Sequence, residues 1–167
     1  MAARGALRAG VGLLNIAVPH ALYPVLAPAV PEAVFTLYDP EDTSFPSVLE
    51  ALERAEACLI GCGLGTAPYA QRLVHTVLER AACPVVLDAD ALNILSESPE
   101  KLLTPHVPVI VTPHPGEMAR LSKKLMEDLS ADRIRTAREF SAKYRVITVL
   151  KGAGTITAAP DGEVRVN

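Results

Sequence analysis

The hydrophobic positions of this chain form short β-branched runs that alternate with longer segments of helical spacing. Four of these runs, at residues 57–60, 84–87, 107–111 and 146–150, are almost entirely apolar. Runs of this kind are typical of strands buried on both faces, as in a parallel sheet covered by helices. In the segments between them, apolar residues recur every three or four positions, which predicts amphipathic helices. The alternation therefore predicts an α/β protein with a mainly parallel sheet.

The first third of the chain is predicted to have shorter elements. We expect a helix at residues 2–9, strands at 13–18 and 34–38, and a helix at 47–55. Four prolines between positions 19 and 31 limit that region to short helices, because proline lacks the N–H group that a helix interior needs. A chain that opens on the last turns of a helix is expected to begin inside a structural unit.

The last third is predicted to contain a capped helix and a hairpin. Ser130 is the expected N-cap of a helix that runs to about Tyr144, with Leu129 and Ile134 as its hydrophobic staple. A Pro-Asp-Gly turn after residue 159 predicts a hairpin. The helix is expected to bury Ile134, Ala137, Phe140 and Tyr144 and to expose Arg133, Arg135 and Arg138 to solvent.

Composition supports the α/β prediction and narrows the class of protein. The 167 residues suffice for one domain, and 50% of them are hydrophobic but only 4% aromatic, so aliphatic side chains must form the core. A net charge of −3 without a basic cluster argues against nucleic acid as the main partner. No apolar run approaches the roughly 20 residues of a membrane span. Arg4 and Arg8 interrupt the apolar N-terminus, so no signal peptide is expected.

Cysteine usage indicates a reducing compartment. Cys58, Cys62 and Cys83 are odd in number and form no C-x-x-C pair, so we expect free structural thiols and no zinc site. Together with the lack of a predicted membrane span or signal peptide, this predicts a cytoplasmic protein.

The main candidate for chemistry is the loop formed by Lys151, Gly152, Ala153, Gly154 and Thr155, called here the 151–155 loop. Glycines let backbone N–H groups approach an anion closely, and a lysine adds a mobile positive charge, so the loop is a candidate for binding phosphate. It is not a Walker A loop, in which the lysine follows the second glycine. The alternative is an ordinary glycine turn with an exposed lysine.

A second glycine-rich segment, called here the 61–65 turn, lies between a predicted strand and a helix that we expect Thr66 to cap. This order brings a helix N-terminus toward a phosphate or a nucleotide, which makes Gly63 and Gly65 candidates for ligand contact. The G-x-G-x-G spacing differs from the G-x-G-x-x-G of dinucleotide-binding folds. A tight turn that needs positive φ is the alternative interpretation.

Carboxylates follow the next predicted strand. Asp88 and Asp90 would point to one face if both were extended, and they could then hold Mg²⁺ directly or through water. The alternative for Asp90 is capping of a helix that begins at Ala91. Asp88 is not needed as a cap, which favours a functional role.

Two prolines flank His114 at the end of the strand predicted at 107–111. They restrict the backbone on both sides, so the imidazole has little choice of direction and is a candidate for substrate contact. The three other histidines lack such a setting. Glu117 either has a role at the site or only stabilises the N-terminus of a helix that runs through Leu125.

Taken together, these segments resemble the NAD(P)H-hydrate dehydratase family, ribokinase-like repair enzymes that are often fused to an epimerase. The matching segments, in the family's order, are Ala-Leu-Arg-Ala-Gly-Val-Gly-Leu, Asp-Ala-Asp-Ala-Leu-Asn, Thr-Pro-His-Pro-Gly-Glu-Met and Leu-Lys-Gly-Ala-Gly-Thr. The resemblance covers practically the whole chain. It implies a ribokinase-like three-layer fold in which residues 1–167 form a single partial domain, incomplete at both termini.

The resemblance also implies a carbon–oxygen lyase (hydro-lyase) that uses ADP or ATP to dehydrate the S epimer of NADH or NADPH hydrate. In the family the nucleotide phosphorylates the hydroxyl of the hydrated nicotinamide ring, and phosphate then leaves. By the matching motifs, the 151–155 loop would bind the adenine nucleotide with Mg²⁺. The hydrated dinucleotide would contact Gly63, Gly65 and His114, and the site would be supported by Asp88, Asp90, Asn93 and Glu117.

Departures from the family pattern bear on activity. Cys62 stands where the family usually has proline. The family's later Gly-Gly-Ser/Thr-Gly-Asp segment, which carries the aspartate expected to act as base, and an upstream glycine-containing segment have no counterpart in this sequence. We therefore expect the 167-residue chain by itself to be inactive or nearly so.

Two other functions stay open at this point. One is another ribokinase-like small-molecule kinase, and the other is a non-catalytic dinucleotide-binding module. We expect small-molecule nucleotides as ligands, and no nucleic acid or membrane as partners. A homo-oligomer and an epimerase, as a partner or a fused domain, are further alternatives that the sequence leaves open.

Overall fold

The computed structural model describes all 167 residues, which form two compact units, Met1–Ala55 and Glu56–Asn167. Eight α-helices and eight strands make up the regular structure. None of the helices combines the length and the apolar character needed to cross a lipid bilayer.

The first unit is built on a two-stranded parallel sheet. Its strands pair from Asn15 opposite Val34 to Pro19 opposite Tyr38. Short helical segments follow the first strand, as the prolines predicted, and the rings of Tyr38 and Phe45 meet edge to face with centroids 5.8 Å apart. In order, the elements are α1 (Ala2–Arg8), β1 (Asn15–Pro19), a 3₁₀ turn (His20–Leu22), α2 (Tyr23–Leu26), a 3₁₀ turn (Ala27–Ala29), β2 (Val34–Tyr38) and α3 (Pro46–Glu53).

The second unit contains a six-stranded sheet flanked by helices. Its elements are β3 (Cys58–Ile60), α4 (Pro68–Arg80), β4 (Val85–Leu87), α5 (Asp90–Leu95), a 3₁₀ turn (Pro99–Leu103), β5 (Val109–Val111), α6 (Pro115–Ser122), α7 (Met126–Ala131), α8 (Arg133–Tyr144), β6 (Ile147–Leu150), β7 (Ile156–Ala158) and β8 (Val164–Val166). The strands lie in the order β3-β4-β5-β6-β7-β8. The first four are parallel, β7 is antiparallel to β6, and β8 is antiparallel to β7.

The predicted α/β class and the mainly parallel sheet are confirmed. Val85, Leu87, Val111 and Leu150 are completely buried, as expected for strands covered by helices. The predicted hairpin is also present, as β7 and β8. Because β3, β4, β5 and β6 are parallel, the loops that follow them meet at one edge of the sheet, where ligands usually bind in open α/β folds.

The predicted start of the helix before β6 is wrong. Ser130 lies inside α7, and Asp132 caps α8 by accepting a hydrogen bond from the Arg135 N–H at 2.9 Å. Ile134 lies in the first turn of α8 beside an open depression and is 45% exposed, so it neither forms the staple nor belongs to the buried stripe. The rest of that stripe, Ala137, Phe140 and Tyr144, is buried as predicted.

Two other helix boundaries differ from the prediction. Helix α4 begins at Pro68 with Ala67 at the N-cap position and no side-chain cap, so the predicted capping by Thr66 is wrong. Proline at the first helical position needs no cap for its missing N–H. Helix α6 ends at Ser122 rather than at Leu125, because Lys123 adopts the left-handed conformation that terminates helices.

Candidate active site

Four loops meet at the carboxyl edge of the sheet in the second unit. They follow β3, β4, β5 and β6 and contain the glycines, carboxylates, histidine and lysine that the sequence singled out. The structure joins some of these residues by direct contacts and leaves others apart.

Lys151 and Asp88 form an ion pair at this edge. The Lys151 Nζ donates a hydrogen bond to the Asp88 Oδ1 at 2.6 Å, and the two side chains are 42% and 26% exposed. Burial raises the pKa of Asp88, but hydrogen bonds from Lys151 and Thr112, together with the lysine charge, outweigh it and leave the pKa below its ordinary value. Asp88 is therefore ionised at neutral pH, and the lysine charge is directed to a carboxylate at the strand end.

His114 and Glu117 form a reciprocal cap at the start of α6. The His114 Nδ1 accepts hydrogen bonds from the N–H groups of Gly116 (3.0 Å) and Glu117 (3.3 Å). The Glu117 carboxylate accepts from the His114 N–H at 2.8 Å. Because Nδ1 accepts twice, the neutral imidazole carries its proton on Nε2. The side chain of His114 is 51% exposed, so a ligand can reach its fixed ring.

The Glu117 carboxylate connects this cap to the ion pair. Its Oε2 lies 4.0 Å from the Lys151 Nζ, and its side chain is only 6% exposed. The interpretation of Glu117 as a residue that stabilises the helix N-terminus is confirmed, while its role toward a ligand stays a prediction. His114, Glu117, Lys151 and Asp88 thus form one continuous polar network along the edge.

Asp90 holds the 61–65 turn instead of capping a helix. Its Oδ2 accepts a hydrogen bond from the Gly65 N–H at 2.8 Å, and the N-cap position of α5 is Ala89, which has no side-chain cap. The predicted capping by Asp90 is therefore wrong. Ala89 has φ 50° and ψ −116°, a conformation that L-residues rarely adopt, so Asp88 and Asp90 are not both extended as the magnesium hypothesis assumed.

No group of three or more His, Cys, Asp or Glu side chains in the chain is arranged to hold a metal ion. The two carboxylates that follow β4 have separate partners, Lys151 for Asp88 and Gly65 for Asp90. A divalent cation at this edge would thus need most of its ligands from outside the protein.

The 61–65 turn depends on a glycine that sequence analysis did not select. Gly61 has φ +119°, and a Cβ there would lie 1.8 Å from the Asp88 carbonyl oxygen and 2.7 Å from the Ala91 Cβ. By contrast, Gly63 (φ +72°) and Gly65 (φ +76°) face open space. Gly61 lets the end of β3 approach the end of β4. In the sequence, only its position directly after a predicted strand indicated this role.

Cys62 is an exposed free thiol beside the ion pair. Its Sγ lies 3.6 Å from the Asp88 Oδ2. Burial of the sulfur and then the neighbouring Asp88 charge raise the pKa of the thiol. The thiol is therefore protonated at neutral pH and acts here as a weak hydrogen-bond donor.

The 151–155 loop exposes backbone donors. The Lys151 N–H is bonded to the Pro113 carbonyl at 2.9 Å, and the Thr155 hydroxyl donates to the Gly152 carbonyl at 3.1 Å. The N–H groups of Gly152, Ala153 and Gly154 have no acceptor within the protein, and these three residues are exposed. Free N–H groups on a glycine-containing loop suit an anion.

Two arginines near the site were not predicted. Arg133, expected in solvent, donates from Nη1 to the Ala153 carbonyl at 2.9 Å and from Nη2 to the Lys151 carbonyl at 3.2 Å. Arg120 donates from Nε (3.1 Å) and Nη2 (2.8 Å) to the Asn93 Oδ1. Asn93 therefore joins α5 to α6, and these two hydrogen bonds do not link it to the network of charged residues.

An open depression of about 340 Å³ lies beside the 151–155 loop. Arg133 and Gly154 line it on the loop side. Its apolar lining comes from Ile134, Ile156 and Val166. A depression of this size and character can accept a small planar or aliphatic group.

Comparisons with protein families and with known sequences agree on one family. The family described as NAD(P)H-hydrate dehydratase matches residues 1–167. The bifunctional NAD(P)H-hydrate repair enzyme Nnr of Moorella thermoacetica is 37% identical over 174 residues, covering 100% of this chain and 33% of the relative. The ADP-dependent (S)-NAD(P)H-hydrate dehydratase of Bacillus subtilis is 37% identical over 167 residues, covering 100% of this chain and 57% of that protein.

Solved structures are similar over nearly the whole chain. The ADP/ATP-dependent NAD(P)H-hydrate dehydratase from Bacillus subtilis, co-crystallised with ATP/Mg²⁺ and soaked with CoA, has a TM-score of 0.76 at 32% identity and covers 99% of this chain and 58% of that one. A ribokinase-like superfamily protein from Enterococcus faecalis has a TM-score of 0.81 at 25% identity, covering 99% and 56%. The ribokinase-like fold class is thereby confirmed, and the chain spans less than two thirds of each of these relatives.

Proposed function

This chain belongs to the NAD(P)H-hydrate dehydratase family, and we propose that it carries nucleotide- and dinucleotide-binding parts of an ADP- or ATP-dependent (S)-NAD(P)H-hydrate dehydratase, a hydro-lyase. The observation that carries the proposal is the network of His114, Glu117, Lys151 and Asp88 beside a loop with free backbone donors. Such a site can hold a polyphosphate and a polar ring side by side.

The adenine nucleotide is proposed to bind at the 151–155 loop through its phosphates. The N–H groups of Gly152, Ala153 and Gly154 are the donors, and the Thr155 hydroxyl lies at the end of the same loop. Lys151 can turn from Asp88 to a phosphate oxygen, because its side chain is 42% exposed. The apolar depression beside the loop is the proposed place for the base.

The hydrated dinucleotide is proposed to bind where the 61–65 turn and His114 line the edge. The exposed His114 ring keeps its Nε2–H orientation through the two hydrogen bonds to Nδ1. Gly63 is exposed and presents backbone without a side chain, and Gly65 is held by Asp90. Asp88, Asn93 and Glu117 are proposed to support these groups rather than to contact the reacting atoms.

Mg²⁺ fits this site only as a companion of the nucleotide. Magnesium is commonly held by one or two carboxylates together with substrate phosphates and water, and it neutralises phosphate charge when bound. Asp88 and Asp90 are the proposed carboxylates, and Asp88 would become free for this role when Lys151 turns to a phosphate. The protein offers no three-ligand cluster of its own.

In the proposed reaction, the terminal phosphoryl group of the nucleotide passes to the oxygen of the ring hydroxyl, which loses its proton. The ring C–O bond then breaks as inorganic phosphate leaves, and loss of a proton from the neighbouring ring carbon forms the ring double bond. Catalysis of phosphoryl transfer consists largely of positioning and charge neutralisation. The residues of this chain bind and orient the phosphates and the ring. Substantial turnover by the 167-residue chain alone would contradict our expectation that it is inactive or nearly so.

Calorimetric titration of the purified chain tests the proposal. ADP or ATP and (S)-NADH hydrate should each bind, and the R epimer should bind more weakly. Absorbance of NADH at 340 nm, a general property of the reduced ring, follows turnover in the same samples. Absence of binding for both nucleotides and for the S hydrate would contradict the proposal.

We also propose a domain organisation, a partner and a location for the protein. A single partial domain over residues 1–167 is supported by the family match to that whole range. An epimerase as a fused domain or a partner is supported by the Moorella thermoacetica relative, which is a bifunctional repair enzyme about three times as long as the matched part. A cytoplasmic location is supported by the dinucleotide substrate, and a homo-oligomer stays a prediction.

A further inference from the structure

We propose that Arg133 is a positioning residue that fixes the 151–155 loop in its anion-binding conformation. It binds the carbonyl groups of the loop and leaves the N–H groups of Gly152, Ala153 and Gly154 free. Only the identity of the anion, a nucleotide phosphate, rests on the proposed function.

The guanidinium spans the loop with two separate hydrogen bonds. Nη2 donates to the Lys151 carbonyl and Nη1 to the Ala153 carbonyl, at 3.2 and 2.9 Å. Since the guanidinium is planar and rigid, these two bonds set the distance and orientation of two carbonyl groups that are two residues apart. A lysine in the same place could bind one of these carbonyls well, but it has no rigid fork.

Gly152 allows this approach. A Cβ at Gly152 would lie 2.8 Å from the Arg133 Nη2, and the residue has φ +143°. The glycine therefore has a role in receiving the guanidinium, in addition to any role in ligand contact. The pairing of a glycine with an arginine across the loop argues against an incidental contact of a surface side chain.

The observed conformation of the Arg133 side chain includes one energetically unfavourable feature. Its Nε is buried and has no hydrogen-bond partner. An unsatisfied buried donor is unfavourable, so the bonds made by the two terminal nitrogens must compensate for it. A solvent-facing arginine, as predicted from helical periodicity, would have avoided this cost by turning outward.

Arg133 is also the cation that remains available to the loop. The nearby Lys151 is paired with Asp88, whereas none of the ion pairs of the chain includes Arg133. The carboxylate of the preceding residue, Asp132, accepts the Arg135 N–H instead. The guanidinium therefore places a positive charge next to the loop, in addition to fixing the loop's conformation.

Amide NMR of the ¹⁵N-labelled chain tests the role directly. Arg133→Met should change the shifts and increase the fast motion of the Gly152, Ala153 and Gly154 amides, and it should weaken ADP binding at least tenfold. Arg133→Lys should give an intermediate result, because it keeps the charge without the fork. Arg138→Met is the matched control, since Arg138 is an exposed residue of the same helix, and it should leave both readouts unchanged.

A second variant approaches the same contact from the loop. Gly152→Ala should displace the guanidinium, but its φ of +143° also strains an alanine by itself. Its effect on the loop amides is therefore compared in the wild type and in Arg133→Lys, a comparison that does not need Arg133→Met to fold. The effect should be smaller in Arg133→Lys, because part of it depends on the guanidinium. Unchanged loop amides in every variant that folds would overturn the proposal. Altered loop amides in a chain that binds no ADP would support positioning by Arg133 and contradict the proposed nucleotide site.

Discussion

The ammonium of Lys151 lies 2.6 Å from the Asp88 Oδ1, although their strands, β6 and β4, are separated in the sheet by β5. The lysine side chain thus reaches across the end of an intervening strand. Its charge is neutralised by a carboxylate, and an incoming phosphate has to compete for it. If the 151–155 loop binds phosphate as proposed, that binding should depend on the charge of Asp88.

Removal of the Asp88 charge should strengthen nucleotide binding. Asp88→Asn frees Lys151 and removes a negative charge next to the proposed phosphate site. The Kd for ADP should therefore fall roughly three- to tenfold, which corresponds to about 1 kcal/mol of binding free energy. Calorimetry at constant ionic strength measures the change, without Mg²⁺ because Asp88 is also a proposed ligand of that ion. Asp128→Asn, an exposed carboxylate on α7, should leave the Kd unchanged. Unchanged or weaker ADP binding by Asp88→Asn would contradict the coupling.

Two substitutions at His114 separate its structural role from its ligand role. His114→Ala removes the acceptor of two backbone N–H groups and should lower the free energy of unfolding by about 1 kcal/mol. His114→Asn supplies another effective N-cap and should restore most of this loss. If His114 contacts the hydrated dinucleotide, neither variant should bind (S)-NADH hydrate normally. Normal hydrate binding by His114→Asn would show that the histidine serves only as a cap.

The glycines of the 61–65 turn should differ sharply in their tolerance of alanine. Gly61→Ala places a Cβ against the Asp88 carbonyl, so the chain should fail to fold or should lose several kcal/mol of stability, roughly the range of severe overpacking. Gly63→Ala meets no neighbour and should cost roughly 1 kcal/mol through its positive φ alone. Urea unfolding compares the two variants. Equal losses would mean that the close approach at Gly61 is absent in solution.

His75 should make the protein less stable toward mildly acidic pH. It lines a small cavity with Glu79 and Lys101, and its Nε2 is buried without a partner. Burial and then the Lys101 charge lower its pKa, while Glu79 opposes this. Below the ordinary histidine pKa of about 6.5, the unfolded chain binds more protons than the folded one, so stability falls as the pH falls.

The substitution His75→Gln should remove this contribution. Free energies of unfolding measured in urea at pH 7.5 and 5.5 should differ less in the variant than in the wild type. His106→Gln, at an exposed histidine, should retain the wild-type difference. The same pH dependence in all three proteins would exclude His75 as its source.

Elements with strong local signals could be predicted from the sequence. The apolar runs predicted the parallel strands, and the Pro-Asp-Gly turn predicted the hairpin of β7 and β8. Helix starts were less predictable, because several residues compete for the cap. Asp132 supplies the cap of α8 two residues after Ser130, and Ile134, in the first turn after it, is exposed.

The candidate site was predictable as a set of residue types but not as a set of contacts. Motif residues such as His114 and Lys151 follow strands whose ends meet, which the strand pattern implies. The partner of Lys151, the bond from Gly65 to Asp90 and the role of Arg133 depend on the spacing of loops across the sheet. Periodicity along one helix identifies an exposed face, but it does not reveal that a loop from another element covers that face.

Nucleotide binding at the 151–155 loop is tested most directly by titrating ADP into the ¹⁵N-labelled chain and following its backbone amides. The largest shift changes should appear at Gly152, Ala153, Gly154 and Thr155, and they should saturate with a single Kd that Lys151→Met raises. Saturable binding with the changes confined to other parts of the chain, or no binding of ADP at all, would contradict the central claim.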